Sequence, residues 1–219
     1  MKRAVVTGAN RGIGLELCRQ LPVQGYEVVA ACRKTSKDLE QSGARIIAGI
    51  DVADDASIAG LARALKEKTI DLLINNAGIL TSEMLSNLDF ERMRRQFEVN
   101  ALGPLRVTQA LLPNLKEGSK VAIITSRVGS LADNRSGGYY GYRMSKAAVN
   151  MAGVNLALDL RPKGIAVFLL HPGLVATKLT GGVGIAAAES AANLLARLAT
   201  LTIEQTGTFW HANGDSLPW

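Results

Sequence analysis

The sequence predicts an α/β fold, a single doubly wound parallel sheet flanked by helices, with residues 1–219 forming one domain. Three observations predict it. Short apolar, β-branched runs recur along the chain, and they lack the alternation of a strand with one wet face, so both faces of the sheet are covered. Stretches with helical spacing separate them, which implies right-handed crossovers between parallel strands. A glycine-rich turn joins the first run to the first helical stretch.

The strands are expected at 4–6, 27–30, 45–48, 72–74, 121–124 and 165–170, and the helices between them at 14–24, 54–68, 90–115 and 142–160. A last helix at 186–199 and a strand at 207–211 complete the alternation. Asp54 or Asp55 can cap the third-strand helix, Pro113 and Gly118 end the long central one, and Gly164 closes the helix that begins at Tyr142. No solenoid repeat or linker-like stretch interrupts the pattern.

With 219 residues, 47% of them hydrophobic, the chain buries enough apolar surface to fold without staples or metals. Cys18 and Cys32 have no metal-ligand spacing and read as small buried thiols of a reducing compartment. The stretch after Met1-Lys2-Arg3 is broken by Thr7, Gly8 and Asn10, so no signal-peptide core forms, and no run nears the roughly 18 apolar residues of a membrane span. The expectation is a soluble, cytoplasmic protein without membrane or metal. A net charge of +6 raises nucleic acid as a partner, but the Lys and Arg are scattered in short clusters such as Arg33-Lys34 and Arg92–Arg95. An anionic small molecule accounts for the bias equally well, and the expected partner is a small-molecule carbonyl or alcohol substrate, not nucleic acid.

The first strand runs into Thr7-Gly8-Ala9-Asn10-Arg11-Gly12-Ile13-Gly14 and then a helix. Glycines belong where backbone turns sharply and comes close to a pyrophosphate, and the helix start offers free N–H groups to the anion. The spacing TGxxxGxG resembles the short-chain dehydrogenase/reductase superfamily. So do Asn75-Asn76-Ala77-Gly78, Tyr142-Arg143-Met144-Ser145-Lys146, and His171-Pro172-Gly173 with Thr177. These matches span almost the whole chain. Residues 130–138 and the ending Leu217-Pro218-Trp219 are similar to the small carbonyl-reductase-like branch that includes C-factor-type proteins. The resemblance implies a single Rossmann-type domain that binds NADP(H).

The choice of NADP over NAD comes from the end of the second strand. It reads Ala30-Ala31-Cys32-Arg33-Lys34, where an NAD site presents an acid to the ribose; the next acid is Asp38. A guanidinium can grip a 2′-phosphate bidentately. Arg33 lies about where the family's discriminating residue falls, and Arg11 matches a second basic position of NADP users. The cofactor turn is expected to comprise Gly8, Asn10, Arg11, Gly12, Ile13 and Gly14. By resemblance, Asp51 and Val52 line the adenine pocket, and Asn76, Ala77 and Gly78 shape its floor. Pro172, Gly173, Val175 and Thr177 hold the carboxamide, and Tyr142 and Lys146 complete the cofactor set.

Tyr142 and Lys146 stand four apart at the start of a helix and share a face. A free phenol has a pKa near 10; an ammonium about 4 Å away favours the phenolate by about 4 kcal/mol, enough to bring it to about 7 before desolvation opposes the change. Such a tyrosine is a competent acid or base at neutral pH. Tyr139 and Tyr140 have Arg143 and Met144 at that offset and read as lining or packing residues. Ser126 matches the family's carbonyl-polarising serine, 16 residues before Tyr142, with Ser130 as the alternative. Asn100 resembles the asparagine whose side chain and helix kink hold a water on the lysine, and Gly103-Pro104 would help break the helix there. His171 and His211 show no partnering carboxylate pattern and read as structural.

The expected reaction is NADPH-dependent reduction of a ketone, aldehyde or quinone to an alcohol. Ser126 and Tyr142 would bind the oxygen, Tyr142 would donate the proton, and Lys146 with Asn100 would relay its replacement. One rival is a sensor or signalling protein that binds NADP with little turnover; another is a dehydratase or epimerase on the same fold. A short substrate lid is expected at about 178–188, with three glycines among residues 181–184 making it mobile. The helices at 90–115 and 142–160 resemble the pair that forms a dimer seam in relatives, so a homodimer is expected; Ala147, Ala148, Ala152 and Gly153 would permit close approach, although they could equally pack on the chain's own sheet.

Overall fold

A computed structural model describes residues 2–219. Seven strands form one sheet: β1 (Lys2–Thr7), β2 (Tyr26–Ala31), β3 (Arg45–Ile47), β4 (Ile70–Asn75), β5 (Leu115–Ile124), β6 (Ala166–His171) and β7 (Thr208–His211). Their order is β3-β2-β1-β4-β5-β6-β7, and every neighbouring pair is parallel. The order reverses between β1 and β4. A crevice therefore opens there at the strands' carboxyl ends, which is where open α/β sheets bind ligands.

Helices cover both faces, as the unalternating strands predicted. They are α1 (Gly12–Gln20), α2 (Lys37–Glu40), α3 (Asp55–Ala64), α4 (Phe90–Phe97), α5 (Gly103–Leu111), α6 (Tyr140–Leu160) and α7 (Ala187–Thr200). Ala4 and Val6 of β1 point into the core beneath α1 and α7, with Leu17, Leu194 and Leu198. Val5, between them, points into the opposite core with Leu61, Leu111 and Val149. Asp54 caps α3 by accepting from Ser57 N at 3.1 Å.

The long central helix expected at 90–115 is four helical pieces, the last a 3-10 turn at Leu112–Asn114, and a strand start. α4 passes into a π-helical stretch, Glu98–Leu102, before α5, and Leu115 already belongs to β5. Pro104 sits in the first turn of α5, directly after the π-helical stretch. The short α2, capped by Ser36 on Leu39 N, was not expected; four residues are too few to show a period. Among the described residues no helix is long and apolar enough to cross a membrane, and no group of three or more His, Cys, Asp or Glu stands where it could hold a metal.

Candidate active site

A cleft of about 850 Å³ opens over the carboxyl ends of β1, β2 and β4. Its floor is the β1–α1 turn. Gly8 and Gly12 hold φ at 66° and 54°, a conformation that favours glycine. A Cβ on Gly8 would stand 2.8 Å from Ala77 Cα, and one on Gly14 would stand 2.4 Å from Gly8 O. The turn is stapled to the segment after β4. Thr7 Oγ1 accepts from Asn76 N (3.0 Å) and Ala77 N (3.1 Å), and Asn76 Nδ2 donates to Thr7 O at 3.0 Å and Gly8 O at 3.3 Å. Side chains are thus excluded where a phosphate chain would lie against the amino end of α1, a cradle that suits a dinucleotide.

Of the expected cofactor residues, Gly8, Asn10, Arg11, Gly12, Ile13, Arg33, Asp51, Val52, Asn76, Ala77, Gly78, Tyr142, Lys146, Pro172 and Thr177 line this cleft. Gly14, Gly173 and Val175 do not line it. Gly14 lets the turn close on itself, Gly173 takes a φ of 88°, and Val175 is buried and bridges to Ile185. Several lining residues stood outside the expected cofactor set, among them Cys32, Ile50, Ile79, Arg95 and Val99. Arg95 reaches across from α4 to Asp51 Oδ2 at 2.7 Å, and Asp51 Oδ1 accepts from Ala53 N at 3.0 Å. Burial alone would raise the Asp51 carboxyl, but the Ala53 amide, Arg95 and then Arg33 outweigh it and hold it below the usual range. No local sequence signal pairs Arg95 with Asp51, 44 positions away.

Tyr142 and Lys146 on α6 line the same cleft, and Ser126, just after β5, does not line it but bonds to the Tyr142 hydroxyl. Gly129 makes this possible: a Cβ there would stand 2.7 Å from Lys146 C, so only glycine lets the turn after Ser126 lie on α6. Lys146 Nζ donates to Ile124 O at 2.9 Å and stands 5.7 Å from the centre of the Tyr142 ring. Burial pulls this ammonium down to about 8. Burial also pushes the Tyr142 phenol up to about 12, with the Ser126 hydroxyl pulling the other way. The lowering expected from Lys146 is therefore not supplied by the chain itself, because both groups are desolvated together and the ammonium spends a bond on a carbonyl. Ser130, the alternative to Ser126, is engaged elsewhere and accepts from Asp133 N at 3.1 Å.

Asn100 lies in the π-helical stretch and is buried. Its amide is engaged at both atoms: Oδ1 accepts from Ile79 N at 2.9 Å, and Nδ2 donates to Ile79 O at 2.9 Å and Ser145 Oγ at 3.0 Å. It braces the segment after β4 against α6, next to Lys146, with only the bare Gly78 Cα between them. His171 and His211 stack edge to face at 4.8 Å, and burial, then His211, holds His171 at about 3. In the segment expected as a lid, Lys178–Thr180 form a turn capped by Thr177, and Val175 bridges to Ile185.

Comparison with known proteins places this geometry. Residues 2–187 match the family model described as short chain dehydrogenase. The chain is 44% identical over 226 residues to the 1-hydroxy-2-glutathionyl-2-methyl-3-butene dehydrogenase of Rhodococcus sp. strain AD45, covering 100% of both chains. It is 47% identical to the C-signal protein of Myxococcus xanthus, over 68% of this chain and 93% of that one. Among solved structures it is similar to the NADPH-bound carbonyl reductase from chicken fatty liver, with a TM-score of 0.92, 30% identity, and coverage of 100% of this chain and 99% of that one. It is also similar to a carbonyl reductase from Pseudomonas aeruginosa PAO1, with a TM-score of 0.86, 31% identity and 100% coverage of both. The chain belongs to the short-chain dehydrogenase family of oxidoreductases.

Proposed function

We propose that this protein is an NADP(H)-dependent carbonyl reductase that converts a ketone, aldehyde or quinone to an alcohol, with Tyr142 as proton donor. The observation that carries the reading is that Tyr142, hydrogen-bonded to the Ser126 hydroxyl, and Lys146 line the same cleft as Arg11 and Arg33. When bound, the nicotinamide supplies the hydride. Gly8, Gly12 and the amino end of α1 would hold the pyrophosphate, and Arg33 with Arg11 the 2′-phosphate.

The chain's own groups handle the oxygen and the proton. The Ser126 hydroxyl and the Tyr142 phenol donate to the carbonyl oxygen and stabilise the charge that develops there. With its pKa near 12, the phenol is fully protonated at neutral pH, as a proton donor must be. Lys146, charged below about pH 8, stabilises the phenolate left behind and passes a proton back to it. Asn100 keeps Lys146 and the adjoining strap in register.

A screen of aldehydes, ketones and quinones followed by NADPH absorbance tests the reading. Turnover of at least one class, lost in Tyr142→Phe, is the expected result. The screen is run in both directions, because the Rhodococcus relative carries the name of a dehydrogenase. The likeness to C-signal favours a second reading, an NADP-binding signalling protein with little turnover. Tight NADPH binding with no turnover across the screen would favour it.

A further inference from the structure

Helix α6 starts without a side-chain cap, and its N-cap residue, Tyr139, holds a left-handed φ of 51°. Tyrosine seldom adopts that conformation unless its surroundings impose it. They do so through the segment after β4. Thr81, Glu83 and Gln96 form a closed ring of hydrogen bonds. Gln96 Oε1 accepts from Thr81 N at 3.0 Å, Gln96 Nε2 donates to Glu83 Oε2 at 3.0 Å, and Thr81 Oγ1 donates to Glu83 Oε1 at 2.5 Å. Glu83 is 2% exposed and Gln96 0%.

A carboxyl buried there loses its hydration and takes neutral donors in return, so apolar side chains would make a cheaper core. What the ring provides is rigidity, and it bears on the helix that carries Tyr142. Glu83 O accepts from Tyr140 N at 3.2 Å. Gly141 lies so close that a Cβ on it would stand 2.3 Å from Gln96 Nε2. Tyr142 is the next residue. The carboxyl thus stands beside the amino end of a 21-residue helix that has no acid in its own first turn, where negative charge is favoured. The same strap is pinned at Ile79 by both ends of the Asn100 amide.

We infer that Glu83, held by Gln96 and Thr81, is a positioning residue for Tyr142: it fixes the first turn of α6 and with it the place of the phenol. The inference rests on the reading of Tyr142 as proton donor. Glu83→Gln keeps the volume but leaves one acceptor where the ring needs two, so either the Gln96 amide or the Thr81 hydroxyl loses its acceptor. Adding Gln96→Glu exchanges donor and acceptor, so that the amide at position 83 donates to a carboxylate at position 96 that still accepts from Thr81 N.

With NADPH and the fastest substrate of the screen, Glu83→Gln is expected to lower kcat about tenfold, a fraction of what a misplacement of about 1 Å can cost. KM for NADPH should stay within about twofold, since the cradle is untouched, and the double variant should recover kcat to within about threefold, as coupled neighbours do. In the protein without cofactor, amide exchange at Tyr140 should quicken in the single variant and slow again in the double. An unchanged kcat, a loss shared by the KM for NADPH, or no recovery in the double variant would overturn the inference. If Glu83→Gln does not fold, Thr81→Val removes one donor and carries the same kcat, KM and exchange comparison. Tyr142→Phe, run alongside, separates the two ideas. Near wild-type turnover there sinks the reading and the inference together, whereas its loss beside an unaffected Glu83→Gln sinks the inference alone.

Discussion

Tyr142→Phe deletes one oxygen and leaves the ring packed as before. Turnover should fall by about 10²–10⁴-fold while NADPH still binds, because the proposed proton donor is gone and the Ser126 hydroxyl alone is left to polarise the oxygen. Fluorescence titration with NADPH beside steady-state kinetics checks both halves. Arg33→Asp should cut kcat/KM for NADPH by about a hundredfold, the loss of a charged contact of about 2–3 kcal/mol, and harm NADH far less. Equal losses with both cofactors would remove Arg33 from the 2′-phosphate site. Lys146 carries the pH dependence. Its pKa is depressed from 10.5 to about 8, so the folded state disfavours its charge. A depressed group contributes its stability above the unfolded pKa and loses it as pH falls through about 8. Lys146→Met should therefore raise Tm at pH 7, with up to about 3 kcal/mol released against the lost bond to Ile124 O. Near pH 10.5 the gain should shrink, and reduction by the wild type should fade above about pH 8. A gain equal at both pH values would mean that the ammonium is not the strained group.

At the scale of elements, Gly14 shows how far the sequence speaks. A Cβ there would stand 2.4 Å from Gly8 O, a backbone atom that cannot swing away. Gly14→Ala should abolish NADPH binding by opening the β1–α1 turn, and should cost stability that calorimetry reads. The spacing of Gly8, Gly12 and Gly14 disclosed this turn because one backbone path explains all three. The strands were legible for a similar reason: Val5 and Val6 face opposite cores, so a buried parallel strand must be apolar at every position. The π-helical stretch was not legible. Glu98–Leu102 keeps a helical hydrophobic rhythm, and only the bonds of Asn100 to Ile79 and Ser145 show why an extra residue fits there. The Arg95–Asp51 pair and the Glu83 ring were hidden as well, since each joins elements whose approach the fold alone decides.

Over the whole molecule, one face lacks a cover. Met144, Met151 and Leu158 stand seven apart on α6 and are 50%, 63% and 67% exposed. Phe90 and Phe97, also seven apart, are 60% and 37% exposed on α4, which packs beside α6. Seven residues are close to two helical turns, so each set forms a row, and two such helices meeting their copies build a four-helix seam. The small residues named from the sequence argue less well. A Cβ on Gly153 would stand 2.8 Å from Leu169 Cδ2, so that glycine serves the chain's own sheet, and Ala148 packs on the core beside Val149. The exposed rows carry the expectation of a homodimer instead. Met151→Glu with Leu158→Glu should weaken it by more than about a hundredfold in Kd, since burying each apolar side chain contributes about 1.5–3 kcal/mol. Tyr142 and Lys146 point into the cleft, so the variant should keep its turnover as a monomer. Light scattering across the micromolar range decides the matter: a wild type that is already monomeric there leaves these rows to another purpose.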